Sequence, residues 1–84
     1  MQEIKIEERS LFYELYLHFN ITNAWLMNQY KKLDDNRRRI LIAQGERLIN
    51  EAKCNGVKRV YYGNESLAIF SVLIMRGYDF KMFS

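Results

Sequence analysis

The stretch that decides the fold is Val57-Lys58-Arg59-Val60-Tyr61-Tyr62-Gly63-Asn64-Glu65-Ser66, continued by Leu67-Ala68-Ile69-Phe70-Ser71-Val72-Leu73-Ile74-Met75 and closed by Arg76-Gly77-Tyr78. Residues 57–62 are rich in β-branched and aromatic types and predict a strand. Gly63 and Asn64 supply turn chemistry, and Asn64 or Ser66 suits the N-cap of a helix over about residues 65–76. That segment is apolar on nearly every side, which predicts burial on most sides. Gly77 ends it. Residues 78–83 then set Tyr78, Phe80 and Met82 against Asp79, Lys81 and Phe83 and read as a final strand. Strand, helix and strand joined by short turns predict a right-handed parallel crossover.

Upstream of this unit the pattern is helical. Leu11, Phe12, Leu15, Tyr16 and Phe19 recur at helical spacing, after a short alternation at residues 2–7 that is either a strand or the lead-in to the helix. Thr22 is a good N-cap for a second helix carrying Trp25, Leu26, Tyr30 and Leu33. Asp34, Asp35 and Asn36 break that pattern and offer a new cap. A third helix follows over about residues 37–54, with Leu41, Leu48 and Ala52 on one face and Gly45 between them. A glycine in a helix interior costs about 1 kcal/mol relative to alanine, so Gly45 needs a reason such as close packing against another backbone. Asn55-Gly56 is a stop signal. The expected fold is therefore α/β (α+β): three N-terminal helices, then a strand–helix–strand unit forming a two- or three-stranded sheet, in a single domain over residues 1–84.

Taken together, Gly45-Glu46-Arg47-Leu48-Ile49-Asn50-Glu51-Ala52-Lys53, the segment Gly56-Val57-Lys58-Arg59-Val60-Tyr61-Tyr62 and the ending Arg76-Gly77-Tyr78 resemble the C-terminal half of a GNAT-type N-acetyltransferase in degenerate form. In that family a glycine-rich loop at a helix N-terminus holds the acetyl-CoA pyrophosphate through backbone N–H groups. The resemblance implies an acyl-CoA site at a loop that ends on Gly45. Ala43 stands at the loop's first glycine, Ile40 at its basic position and Leu73 where the family often has a tyrosine acid. It thus implies a binding protein that has lost the catalytic acid, or at most a minimal acyltransferase.

Composition narrows the function classes. Forty-nine per cent of the 84 residues are hydrophobic and 14% aromatic, enough for a core and unlike a disordered tail. No apolar run approaches the roughly 18 residues that span a bilayer, and the first nine residues lack the apolar stretch of a signal peptide. A lone cysteine suits a reducing compartment, so a cytoplasmic location is expected. The net charge of +3 is uneven: residues 1–30 carry −2, residues 31–59 carry +5 and residues 60–84 balance at zero. The middle third is thus the electrostatic footprint for an acidic partner.

Catalytic constellations are sparse. His18 is the single histidine, at the edge of the first helix stripe, with no nucleophile and carboxylate arranged around it. Cys54 sits at a helix C-terminus, where the dipole disfavours the thiolate. One cysteine and one histidine do not make a four-ligand zinc site. Glu7-Glu8 and Asp34-Asp35 are sequence neighbours, which point about 100° apart on a helix. No cofactor, metal or membrane is expected. The turn at residues 63–66 reads as tight packing geometry.

Two features point to binding. Arg37-Arg38-Arg39, with Lys31 and Lys32, suits phosphates or an acidic protein surface, against the alternative of a solvated face offset by Asp34, Asp35 and an Arg47/Glu51 pair. The aromatic C-terminal region, with Tyr62, Tyr78, Phe80 and Phe83, suits an unpaired sheet edge that recruits another chain. The expectation is a non-enzymatic regulator or inhibitor, of the size that phages and mobile elements encode. It would bind another protein or a second copy of itself. Nucleic-acid binding through residues 31–59 is the alternative.

Overall fold

The computed structural model describes residues 6–78. It holds four α-helices: α1 (Ile6–Leu17), α2 (Asn23–Lys31), α3 (Asp35–Asn55) and α4 (Gly63–Met75). Among the described residues there is no strand and no sheet, so the fold is all-α and the expected α/β class is corrected. The resemblance to GNAT-type acetyltransferases falls with it, because that layout needs a sheet. The acyl-CoA site it implied at Gly45 falls too, since Gly45 lies inside α3 and not in a loop.

The segment read as a strand shows why. A strand over residues 57–62 places Val57, Arg59 and Tyr61 on one face. Arg59 has no place in an apolar core, and the chain resolves the conflict by leaving the extended path. Val57 and Tyr61 are buried while Lys58, Arg59 and Val60 are exposed. β-propensity needs a partner strand to be realised. The one ladder contact among the described residues is an isolated parallel bridge between Tyr61 and Phe19, with Tyr61 N–H donating to the His18 carbonyl at 2.9 Å and Asn20 N–H to the Tyr61 carbonyl at 3.0 Å. Of the expected final strand, Tyr78 follows α4 and belongs to no strand, and residues 79–83 lie outside the described residues. At the other end, residues 2–5 of the expected lead-in also lie outside them, and Ile6 already belongs to α1.

Local chemistry sets the helix ends. Thr22 caps α2, its Oγ1 accepting from Trp25 N–H at 3.2 Å. Asp34 caps α3 through Oδ1, which accepts from Arg37 N–H at 2.7 Å. Each satisfies a donor that the first helical turn leaves open. Gly56 takes φ +79°, a left-handed value that stops α3, and its N–H donates to the Ala52 carbonyl at 2.8 Å. The N-cap of α4 is Tyr62, which makes no side-chain capping bond, so neither Asn64 nor Ser66 has the expected role.

α4 is the centre of the fold. Every residue from Ser66 to Leu73 is buried, so the helix is enclosed around its whole circumference. Its two serines are satisfied inside the core: Ser66 Oγ donates to the Tyr61 carbonyl and Ser71 Oγ to the Leu67 carbonyl, both at 2.8 Å. α3 lies along it through Leu41, Gly45, Leu48, Ile49 and Ala52. Phe12 and Leu15 from α1, Leu26 from α2, and Val57 and Tyr61 from the segment between α3 and α4 complete the cluster. Tyr30 of α2 meets Phe70 edge-on with ring centroids 6.0 Å apart.

The close approach expected of Gly45 is what the structure shows. A Cβ built there falls against the Ala68 carbonyl oxygen and lies 2.6 Å from Val72 Cγ2. The obstacle is backbone of the buried helix, which has nowhere to retreat. Gly45→Ala is therefore expected to destabilise the protein by about 2 kcal/mol despite its gain in helix propensity, because overpacking outweighs propensity. Urea unfolding measures this; an unchanged or raised midpoint contradicts the contact.

Candidate functional site

The cationic residues singled out in the sequence fall on the corner where α2 ends and α3 begins. Lys31 and Lys32 close α2, and Arg37, Arg38 and Arg39 lie in the first turns of α3. The structure divides the arginine trio. Arg37 and Arg39 are exposed, whereas Arg38 is half-buried. The Arg38 guanidinium sits 4.9 Å from the Tyr30 ring centroid and donates to the Leu33 carbonyl at 3.4 Å. It therefore ties α3 to the end of α2. Lys31, Lys32, Arg37 and Arg39 form no ion pair with any described residue.

Three cations elsewhere are matched. Arg59 makes a two-pronged contact with Glu65 at 2.7 and 2.9 Å, Arg76 pairs with Glu46 at 2.7 Å, and Lys53 pairs with Glu8 at 3.5 Å. The offsetting Arg47/Glu51 pair does not form, which leaves Arg47 exposed and unmatched among the described residues. Asp34 and Asp35 stay exposed within the cationic corner, the former as the α3 cap.

The aromatic candidates separate. Tyr62 is 59% exposed at the N-terminus of α4. Tyr78 is half-buried, its ring edge-on to Phe12 with centroids 5.5 Å apart, and burial raises its phenol pKa. Phe80 and Phe83 lie outside the described residues. Among the described residues there is no sheet, so Tyr62 and Tyr78 stand on no sheet edge. Ile40, named from the sequence only as a position of the implied acyl-CoA loop, is 52% exposed, and Arg47 is exposed without the Glu51 partner expected for it. The signal was present: residues 36, 40, 43, 47, 50 and 54 recur every three to four positions, opposite Leu41, Leu48 and Ala52.

The remaining chemistry is structural in placement. His18 follows α1, and its Nδ1 donates to the Arg59 carbonyl at 2.9 Å, fastening the segment between α3 and α4. Cys54 is exposed in the last turn of α3. Among the described residues no three His, Cys, Asp or Glu side chains are grouped to hold a metal ion. No described helix is long and apolar enough to cross a membrane. Against known protein families, curated proteins and solved structures, the chain has no match.

Two outcomes test this partition of charges. The Arg59 hydrogen bonds hold the Glu65 carboxyl below its usual pKa. A depressed folded-state pKa gives stability that is present above the unfolded value, about 4.3, and is lost as pH falls through the folded one. Both groups are substantially exposed, so the contribution is about 0.5 kcal/mol. Glu65→Gln is expected to be less stable than the parent at pH 7 and to converge with it in acid; a gap that widens in acid contradicts the pair. Arg38→Ala is expected to cost about 1 kcal/mol through the lost stacking and hydrogen bond, while Arg37→Ala and Arg39→Ala stay within about 0.5 kcal/mol. Thermal unfolding of the three variants checks this, and equal losses refute it.

Proposed function

We propose that this chain is a non-enzymatic binding protein, a regulator or inhibitor, that engages an acidic surface of another protein through the α2–α3 corner. The observation that carries this reading is the unequal matching of charge. Lys53, Arg59 and Arg76 each have a carboxylate within the fold, whereas Lys31, Lys32, Arg37 and Arg39 have none among the described residues. Four exposed cations on one corner favour partners that supply carboxylates or phosphates. Exposed Asp34 and Asp35 in the same corner tell against a phosphate backbone, which lays a continuous line of negative charge across any such surface. A folded protein partner can place its carboxylates against the cations and leave room for the aspartates. The lone cysteine is in keeping with a cytoplasmic setting.

Affinity capture from lysate, with and without nuclease, tests the reading. The expected result is a protein partner that survives nuclease and is lost when Arg37 and Arg39 are both changed to glutamate. Release of the captured material by nuclease, with a steep salt dependence, establishes the nucleic-acid alternative instead. Capture that ignores the charge reversal refutes the corner.

A further inference from the structure

The C-terminal end of α3 carries chemistry of a different kind. Of the seven asparagines in the chain, Asn55 alone is followed by glycine. It is the last residue of α3 and is exposed, as is Gly56. Because Gly56 has no side chain, its backbone nitrogen can approach the Asn55 side-chain carbon without a steric clash. The helix withholds that nitrogen in two ways. The Gly56 N–H donates to the Ala52 carbonyl at 2.8 Å, and the helical backbone at Asn55 keeps the two atoms apart. Both restraints belong to the last turn of a helix, which opens at little cost. Buried Ala52 and Val57 hold the chain on either side, so the opening is confined to residues 53–56. The Lys58 side chain reaches back to Gly56, its Cε 3.8 Å from where a Cβ on Gly56 would sit. That sets a cation near the nitrogen that must lose its proton.

We propose that Asn55 is a self-modification site: it deamidates through a succinimide, gated by opening of the last turn of α3, and the isoaspartate formed loosens the link between α3 and α4. Hydroxide takes the Gly56 N–H proton, giving water. The nitrogen attacks Asn55 Cγ and a C–N bond forms. The side-chain nitrogen leaves as ammonia with a proton taken from water, which regenerates hydroxide. One water molecule then opens the ring. Cleavage of the bond from nitrogen to Cγ gives aspartate. Cleavage at the Asn55 main-chain carbonyl gives isoaspartate, whose backbone runs through Cβ and Cγ. The net change consumes one water and releases one ammonia, with no oxidant or reductant. Either product sets a carboxylate at the negative end of α3, four residues from Glu51, where the helix dipole and a like charge both disfavour it. Isoaspartate also lengthens the main chain by one carbon between Ala52 and Val57, both buried in the core. That displaces the segment carrying Arg59 and Tyr61, which is held by contacts with His18 and Glu65.

The test ages the full chain in mildly alkaline buffer, native and urea-unfolded, and locates the amide-to-acid mass gain by peptide fragmentation. Asn55 is expected to convert before any other asparagine. Conversion in the native protein is expected to be about tenfold slower than in urea, the effect of holding one backbone hydrogen bond at a helix end. Methylation specific for isoaspartate is expected to mark the aged chain and to leave an Asn55→Gln variant, aged alongside, blank. Asn55→Asp carries the new charge without the longer backbone and is expected to lower the thermal midpoint by about 3 °C. The isoaspartate fraction separated from aged protein is expected to melt lower still. The proposal is overturned if another asparagine reacts first, if native and unfolded chains react at the same rate, if the Asn55→Gln variant is marked equally, or if the isoaspartate fraction melts with the parent.

Discussion

The enclosure of α4 constrains everything else in this molecule. Thirteen residues of helix carry eight consecutive buried positions, Ser66 to Leu73, so neighbours must cover every side. α3 covers the longest side, and it reaches the required distance because Gly45 lets its backbone meet Ala68. α1 and α2 then contribute Phe12, Leu15 and Leu26 to the remaining surface. Each fully buried Leu, Ile or Phe contributes about 1.5–3 kcal/mol, so a small chain concentrates much of its stability in one helix. A position on α4 is consequently a poor place for a functional side chain, and what the protein presents to others lies on the outer helices.

That arrangement also settles how the charges are used. Arg76, just past α4, is drawn to Glu46 on α3, and Arg59, just before α4, closes on Glu65 in its first turn. His18 and the Tyr61 bridge hold the intervening segment against the end of α1. These contacts consume Glu46 and Glu65 near the two ends of α4. The far edge of α3 and the end of α2 keep their cations unmatched. The electrostatic asymmetry visible in the sequence thus becomes a spatial one, between a neutralised centre and a cationic outer corner.

The helices were legible because their signals are local. Thr22 and Asp34 are both used as caps, Gly56 stops α3, and Gly45 marks a close approach, all as residue chemistry indicates. The sheet was misread because strand signals are only half local. Val57, Val60, Tyr61 and Tyr62 have strand composition, but whether a strand forms depends on a pairing partner elsewhere, and the described chain supplies a single bridge at Phe19. The charge of residue 59 held the contrary clue, since alternation aims Arg59 at the core. The cationic cluster was legible as composition, yet its division was not. Arg38 is structural because Tyr30 lies beneath it, a contact between helices that spacing along one helix does not reveal.

Native-state hydrogen exchange tests the central role of α4 most directly. If the other helices fold around it, amides in the buried interior of α4, from Leu67 to Leu73, exchange only through global unfolding, with protection equal to the free energy from denaturant titration. Amides of α1 and α2 exchange through smaller openings. Protection that is greatest in α1 or α2, with α4 opening first, contradicts the account.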